Sequence, residues 1–243
     1  PYTVANYPPL FLLLQAPFAW LAGPAFWYGR AISTLGMLLG ATCLGLILHT
    51  LTKSRLAAVT GGLTLLAFPY VVYWAPMNRV DSLALGLSLA GLLVAVRWPE
   101  RRTGRIAAAV LLTAAILTRQ SYGLAAPLAA FFWLVSAKPR WRGVELAAYV
   151  AGLGLALMFL LTLLTDGAFF TNVVTANVNP YFWSRVQVYI DQLLDHAWPI
   201  LLMALTFLML GWRRHGKGET HFQEWRLIAP YLLGATLSAL TVG

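Results

Sequence analysis

Charged residues are scarce in this chain, and acidic residues are the scarcest. Only 10% of its 243 residues are charged, 60% are hydrophobic, and the mean hydropathy is +0.71. Soluble domains carry about 25% charged residues, so this composition excludes a soluble globular protein and indicates a membrane protein. The net charge of +9 does not indicate nucleic-acid binding, because the basic residues are spread over several loops.

Cysteine and the motifs of soluble enzymes are also missing. Cys43 is the only cysteine and lies in an apolar run, which excludes an intrachain disulfide and favours a packing role. No CxxC pair and no His-rich spacing occurs, so no metal site is predicted. GxSxG, the P-loop and GxGxxG after a strand are absent as well. The sequence therefore lacks the usual hydrolase and nucleotide-binding signatures.

The ends of the chain carry no targeting pattern. Pro1 opens the sequence without a basic n-region or a cleavage motif, and Gly243 falls within an apolar run. We therefore expect no signal peptide, and we expect residues 1–243 to be a single transmembrane domain from the interior of a longer protein.

Long apolar runs predict an all-α polytopic membrane protein with about eight spans. A span needs about 20 apolar residues, or about 17 when it is short. The predicted spans are 26–50, 56–75, 82–97, 104–119, 122–137, 144–165, 197–212 and 226–243.

Basic residues alternate with these spans. Thirteen of the seventeen Lys and Arg residues lie in four loops: Lys53–Arg55, Arg97–Arg105, Lys138–Arg142 and Arg213–Arg226. The positive-inside rule places these loops in the cytoplasm. It leaves Arg30, Arg79, Arg119 and Arg185 on the outer side, where outward arginines suit an anionic ligand such as a lipid phosphate.

Two further segments are not predicted to span. Residues 8–22 are apolar but short and contain Pro17, so we expect a juxtamembrane helix at the outer interface. Residues 166–196 are rich in Asn and aromatic residues, and we expect a long external loop.

Each outer polar residue has a structural and a functional interpretation. Asp81 either caps a helix or acts in an external cavity beside Arg79. Arg119, in a tight turn with Gln120, either reaches the interface or binds phosphate. Arg30 either pairs with an acid, Asp81 or Asp166, or belongs to the site.

The 166–196 segment has the same two interpretations. Asn177, Asn179 and Arg185, with neighbouring aromatic residues, are suited to binding a sugar. Asn and Pro are also ordinary turn formers, and this alternative stays open.

The motifs resemble the bacterial membrane glycosyltransferases of the GT-C superfold, in the protein-mannosyltransferase and aminoarabinose-transferase group called family 39. The resemblance rests on Asn6-Tyr7-Pro8-Pro9-Leu10, Gly29-Arg30-Ala31, Arg79-Val80-Asp81-Ser82-Leu83-Ala84, Leu117-Thr118-Arg119-Gln120 and Asn177-Val178-Asn179-Pro180.

The resemblance implies an inverting transfer of a sugar from a polyprenyl-phosphate carrier to an acceptor outside the cytoplasm. It implies a catalytic Asp upstream of Pro1, a related acidic role for Asp81, and a place for Arg119 near the donor phosphate. Arg30 matches a family arginine, and Tyr7 stands where the aminoarabinose transferases have the Lys of a Glu-Lys pair.

We therefore expect a glycosyltransferase of the cell envelope, located in a bacterial inner membrane with the lipid bilayer as its surroundings. The predicted catalytic residue is Asp81, with Tyr7, Arg30, Arg79, Arg119, Gln120, Asn177, Asn179 and Arg185 as substrate-binding residues. No cofactor follows from the residues, and a divalent cation stays open. The alternatives are a non-catalytic subunit of a larger membrane complex and a transporter or flippase of a lipid-linked anionic solute.

Overall fold

All regular structure in the described residues is helical, which confirms the all-α prediction for them. The computed structural model describes residues 7–137, 139–177, 181–216 and 224–240. The helices are α1 (Leu10–Ala22), α2 (Trp27–Thr52), α3 (Arg55–Ala67), α4 (Pro69–Trp74), α5 (Val80–Arg97), α6 (Arg102–Thr118), α7 (Ala125–Ser136), α8 (Trp141–Leu164), α9 (Ala168–Val173), α10 (Trp183–Gly216) and α11 (Trp225–Leu240). Gln120–Gly123 and Thr175–Asn177 form short 3-10 helices.

Three of the described helices are long and apolar enough to cross a membrane, namely α2, α5 and α8. A fourth is possible in α10, whose halves Trp183–Asp195 and Trp198–Arg213 meet at 89°. These helices support membrane association, but their number is smaller than the eight spans predicted from the sequence.

The difference arises where the apolar runs are interrupted and where the helices are short, since α6 has 17 residues and α11 has 16. Phe68 is extended and Pro69 starts a new helix, because proline lacks an N–H group and disfavours helical backbone in the preceding residue. The predicted span 56–75 is therefore two helices, α3 and α4. Tyr122 lies in a 3-10 helix, so α7 has only 12 residues.

Glycine brings α2 and α5 into close contact. A Cβ atom on Gly36 would lie 2.6 Å from the Cα atom of Leu83, and one on Gly40 would lie 3.5 Å from the Cα atom of Gly86. A Cβ atom on Gly86 would collide with the carbonyl oxygen of Gly36. Close packing through glycine of this kind is typical of membrane helices.

The core lies among α2, α5, α6, α7 and the first turns of α8 and α11. Its fully buried members include Ala95, Ala108, Leu112, Leu134 and Leu146. The apolar window of α8 is only 6% buried, compared with 61% for α5. Most of α8 therefore presents an apolar surface to its surroundings, as expected of a helix that faces lipid.

A charged cluster joins α6 to α8 at the end predicted to be cytoplasmic. Arg105, whose side chain is 3% exposed, donates to Glu145 Oε2 at 2.6 Å, and Arg102 lies 3.3 Å from Glu145 Oε1. Tyr149 also donates to Glu145 at 2.6 Å. The buried arginine is thus compensated by a carboxylate, which is what a buried charge requires.

The two segments not predicted to span are both helical in large part. Residues 8–22 contain α1, which is mostly exposed and buries Phe11 and Gln15. The prediction of a loop over 166–196 is wrong in its described residues, because they contain α9, a 3-10 turn and the first half of α10. Val186, Ile190 and Leu193 recur at helical spacing there, and this pattern indicates an amphipathic helix.

Candidate functional site

Asp81 holds two arginine side chains together where α5 begins and α6 ends. Arg79 precedes α5, Asp81 lies in its first turn, and Arg119 directly follows α6. Arg79 Nε is 3.2 Å from Asp81 Oδ2, and Arg119 forms an ion pair with Asp81 Oδ1. Both carboxylate oxygens are engaged, and two cations against one anion leave one positive charge in excess.

Neighbouring groups fix the positions of these arginines. The buried Ser33 hydroxyl in α2 donates to the carbonyl oxygen of Arg79 at 2.8 Å and accepts from its N–H at 3.0 Å. The guanidinium of Arg79 lies 4.5 Å from the ring centroid of Trp74, and that of Arg119 lies 5.7 Å from the Tyr7 ring. Cation–π contacts of this kind stabilise and orient the guanidinium planes.

Arg30 lies near the cluster but binds a backbone carbonyl group instead of Asp81. Its Nε donates to the carbonyl oxygen of Pro76 at 3.0 Å, which ties α2 to the turn before α5. No ion pair joins Arg30 to Asp81 or Asp166 in the described residues. The predicted acid partner is therefore replaced by a backbone carbonyl.

Gly29, next to Arg30, allows two amide side chains to approach the helix. Gln15 Oε1 would lie 2.6 Å from a Cβ atom on Gly29, and Asn78 Oδ1 would collide with it. Asn78 Oδ1 is buried and has no hydrogen-bond partner among the described residues. The close approach explains why only glycine fits between α1 and the 76–79 turn.

A cavity of about 510 Å³ opens beside the ion cluster. Its polar and ionisable lining comes from α4, from α5, from the turn after α6 and from α11, and consists of Tyr70, Asp81, Arg119, Ser121, Tyr122, Tyr231 and Ser238. Leu85 and Tyr231 also line an adjoining apolar cavity of about 280 Å³ bounded by α2, α3, α5 and α11. A cavity that carries the polar and ionisable groups of the ion cluster and an apolar cavity therefore share a wall.

The structure brings together only part of the predicted site. Arg79, Asp81 and Arg119 meet, Tyr7 contacts Arg119, and Gln120 opens the adjoining 3-10 turn. The contributions of Ser33, Tyr70 and Tyr231 are not foreseen from the sequence. A single small or aromatic polar residue within an apolar run gives no signal beyond packing or interfacial anchoring.

The residues predicted in the 166–196 segment do not line this cavity in the described part of the chain. Asn177 donates to the carbonyl oxygen of Val173 at 2.8 Å, which closes a local turn. The guanidinium of Arg185 lies 5.0 Å from the Phe182 ring centroid. Asn179 lies outside the described residues.

The described residues offer no ready-made metal centre. No group of three or more His, Cys, Asp or Glu side chains is close enough to hold an ion within the described ranges. A divalent cation at Asp81 would also have to displace a guanidinium. The guanidinium groups of Arg79 and Arg119 are donors of the kind that recognise anions in proteins.

Comparison with known proteins gives no match: no family model fits the sequence, and no curated protein and no solved structure is matched by the chain. The resemblance to the GT-C glycosyltransferases therefore remains a prediction that rests on the short motifs.

Proposed function

We propose that this protein is the membrane core of a glycosyltransferase that uses a polyprenyl-phosphate sugar and an acceptor outside the cytoplasm. One observation carries the proposal, namely the pair of arginines on Asp81 beside a cavity with ionisable and hydroxyl groups in its lining, which adjoins an apolar cavity. A lipid phosphate matches this arrangement, because its head carries one or two negative charges and is joined to an apolar chain. Its membrane would be a bacterial inner membrane, with the basic loops cytoplasmic.

In this proposal Arg119 binds the phosphate that leaves with the lipid. Its guanidinium has five N–H donors and uses only part of them on Asp81. Charge that develops on the departing phosphate would be stabilised by these preorganised donors. The polyprenyl chain would lie in the apolar cavity, and the sugar in the cavity beside the ion cluster, near Ser121 and Tyr122.

Asp81 fits a positioning role better than that of a proton acceptor. Both of its oxygens hold guanidiniums, so accepting a proton would weaken two ion pairs at once. The general base that deprotonates the acceptor would then come from the Asp that the resemblance implies upstream of Pro1.

The eight-crossing topology belongs to the same proposal. The middle of α6 is fully buried at Ala108, Leu112 and Ala115, and α6 packs against both α5 and α8. A 17-residue helix enclosed by two long spans would lie at the same membrane depth as they do. The shorter helices would therefore cross together with the long ones.

The excess positive charge beside Asp81 would also suit a second candidate, a transporter or flippase of a lipid-linked anion. Movement of an intact lipid-linked substrate across vesicles would support this candidate, whereas sugar transfer would support the first.

Binding of polyprenyl phosphate to the purified protein in detergent tests the donor site. Arg119→Ala removes a charged donor, so we expect the affinity to fall roughly 10- to 100-fold. Arg97→Ala, at the opposite end of α5, is the matched control and should bind as the unaltered protein does. Equal affinity in the Arg119→Ala variant would contradict the phosphate site.

A further inference from the structure

A second large cavity, of about 820 Å³, lies between α7 and α11 at the end opposite to Asp81. Its lining is Phe132, Val135, Ser136, Arg140, Trp225, Arg226, Ala229, Pro230 and Leu233. Phe132 and Leu233 are 43% and 56% exposed, so the apolar part of the cavity opens to the side of the helix bundle.

Two basic loops that are far apart in the sequence meet at this cavity. Arg140 comes from the loop before α8, and Arg226 comes from the first turn of α11. Within the described residues neither guanidinium has an ion pair. The nearby acids Glu100 and Glu145 are engaged by Arg142 and by Arg102 and Arg105.

One further acid lies next to a lining residue in the sequence. Glu224 immediately precedes Trp225, and its Oε2 is buried without a hydrogen-bond partner among the described residues. One carboxylate beside two arginines still leaves an excess of positive charge. An anion is therefore the ligand that the charges favour.

The position of the cavity along α11 indicates on which side of the membrane that anion would bind. The helix α11 has 16 residues, about 24 Å at 1.5 Å per residue, and its other end lines the Asp81 cavity with Ser238. In the proposed topology, in which α11 crosses the membrane, the two cavities would face opposite surfaces of the bilayer. Trp225 at the mouth is typical of a residue at headgroup level.

We propose that this cavity binds one anionic phospholipid of the cytoplasmic leaflet. Arg140 and Arg226 hold the headgroup phosphate, and the acyl chains follow the open apolar wall at Phe132 and Leu233. Basic pockets between membrane helices on the cytoplasmic side are suited to such headgroups. This site is independent of the proposed donor site.

Native mass spectrometry of the purified protein with phosphatidylglycerol tests the proposal. We expect Arg140→Ala combined with Arg226→Ala to weaken binding roughly 30-fold, from about 1 kcal/mol per basic residue near the surface. The matched control is Arg97→Ala combined with Arg101→Ala, which removes two charges from another basic loop outside the cavity. It should bind phosphatidylglycerol as the unaltered protein does.

A second variant tests the cavity independently, in case the double arginine variant does not fold. Leu233→Trp adds bulk to an exposed position in the cavity and leaves the charge unchanged, and it should also weaken binding. Phosphatidylcholine with the same acyl chains should bind weakly.

Three results would overturn the proposal. Equal losses in the cavity variant and the control would mean general electrostatic attraction. Displacement of phosphatidylglycerol by millimolar inorganic phosphate would mean a free-anion site. Equal binding of phosphatidylcholine would mean that the arginines do not recognise the headgroup.

Discussion

Asp81 engages a guanidinium with each of its carboxylate oxygens, and this arrangement separates two roles that the Arg-x-Asp sequence alone leaves open. A proton acceptor needs an oxygen that faces the substrate. A positioning residue needs its oxygens on the group that it orients, which is the arrangement seen with Arg79 and Arg119.

A double-mutant cycle at Asp81 and Arg119 distinguishes these roles. We expect Asp81→Asn and Arg119→Ala each to abolish sugar transfer, with the helical fold intact by circular dichroism. If Asp81 positions Arg119, both variants also lose affinity for polyprenyl phosphate, and the double variant loses little more, because the residues act as one unit. Additive losses, or unchanged affinity in Asp81→Asn, would contradict positioning, and near-normal transfer in both single variants would refute the site.

The residues of the site differ in how far the sequence predicts them. Arg79, Asp81 and Arg119 stand out because a charge at the predicted outer end of an apolar run is costly and therefore informative. Ser33 and Tyr231 do not stand out, since hydroxyl groups are common in membrane helices. Their roles depend on which helices become neighbours, and no local pattern contains that information.

At the scale of the helix, the length of an apolar run predicts that helical structure forms there. It is a poorer guide to whether that structure is one unbroken helix. The predicted spans 26–50, 82–97 and 144–165 correspond closely to α2, α5 and α8. The run 56–75 is divided because Pro69 ends the hydrogen-bond ladder, although its hydropathy remains high. The helix from Trp183 is missed because a mixed polar and apolar composition resembles a loop when its period is not examined.

The contact between α2 and α5 provides a test of helix packing. Gly86→Ala places a methyl group against the Gly36 carbonyl oxygen, so we expect a loss of about 1–3 kcal/mol and a lower thermal unfolding midpoint in detergent. Gly152→Ala in α8 has no atom within 4 Å of the new methyl group and should be neutral or slightly stabilising. Similar midpoints for the two variants would mean that the α2–α5 contact does not limit stability.

At the scale of the whole molecule, charge is separated between two ends of one helix assembly. The Asp81 cluster lies where α5 begins, and the Arg105–Glu145 cluster lies where α6 begins and α8 begins. The charge pattern of the sequence predicts this separation, because basic loops alternate with apolar runs. It does not predict which helices border the cavities, since that depends on packing among distant segments.

Labelling of single cysteines from the two sides of the membrane tests the crossing of α6. In a Cys43→Ala background, Glu100→Cys and Gln120→Cys place exposed thiols before and after this helix. We expect a membrane-impermeant maleimide to reach position 120 only from outside and position 100 only from the cytoplasmic side. Labelling of both from one side would show that α6 does not cross, and the eight-crossing topology would fail.

The exposed apolar surface of α8 has a consequence for how the sequence of this protein evolves. Fluid lipid chains can adapt to an apolar side chain of any shape. The helices packed against α5 accept only side chains that are apolar and of the right shape. Only 6% of the most apolar stretch of α8 is buried. Its residues must therefore be apolar, but which apolar residue stands at each position matters little. Related chains should therefore drift fastest along α8, with Leu, Phe, Val and Met exchanging freely, while α5 keeps its small residues in register.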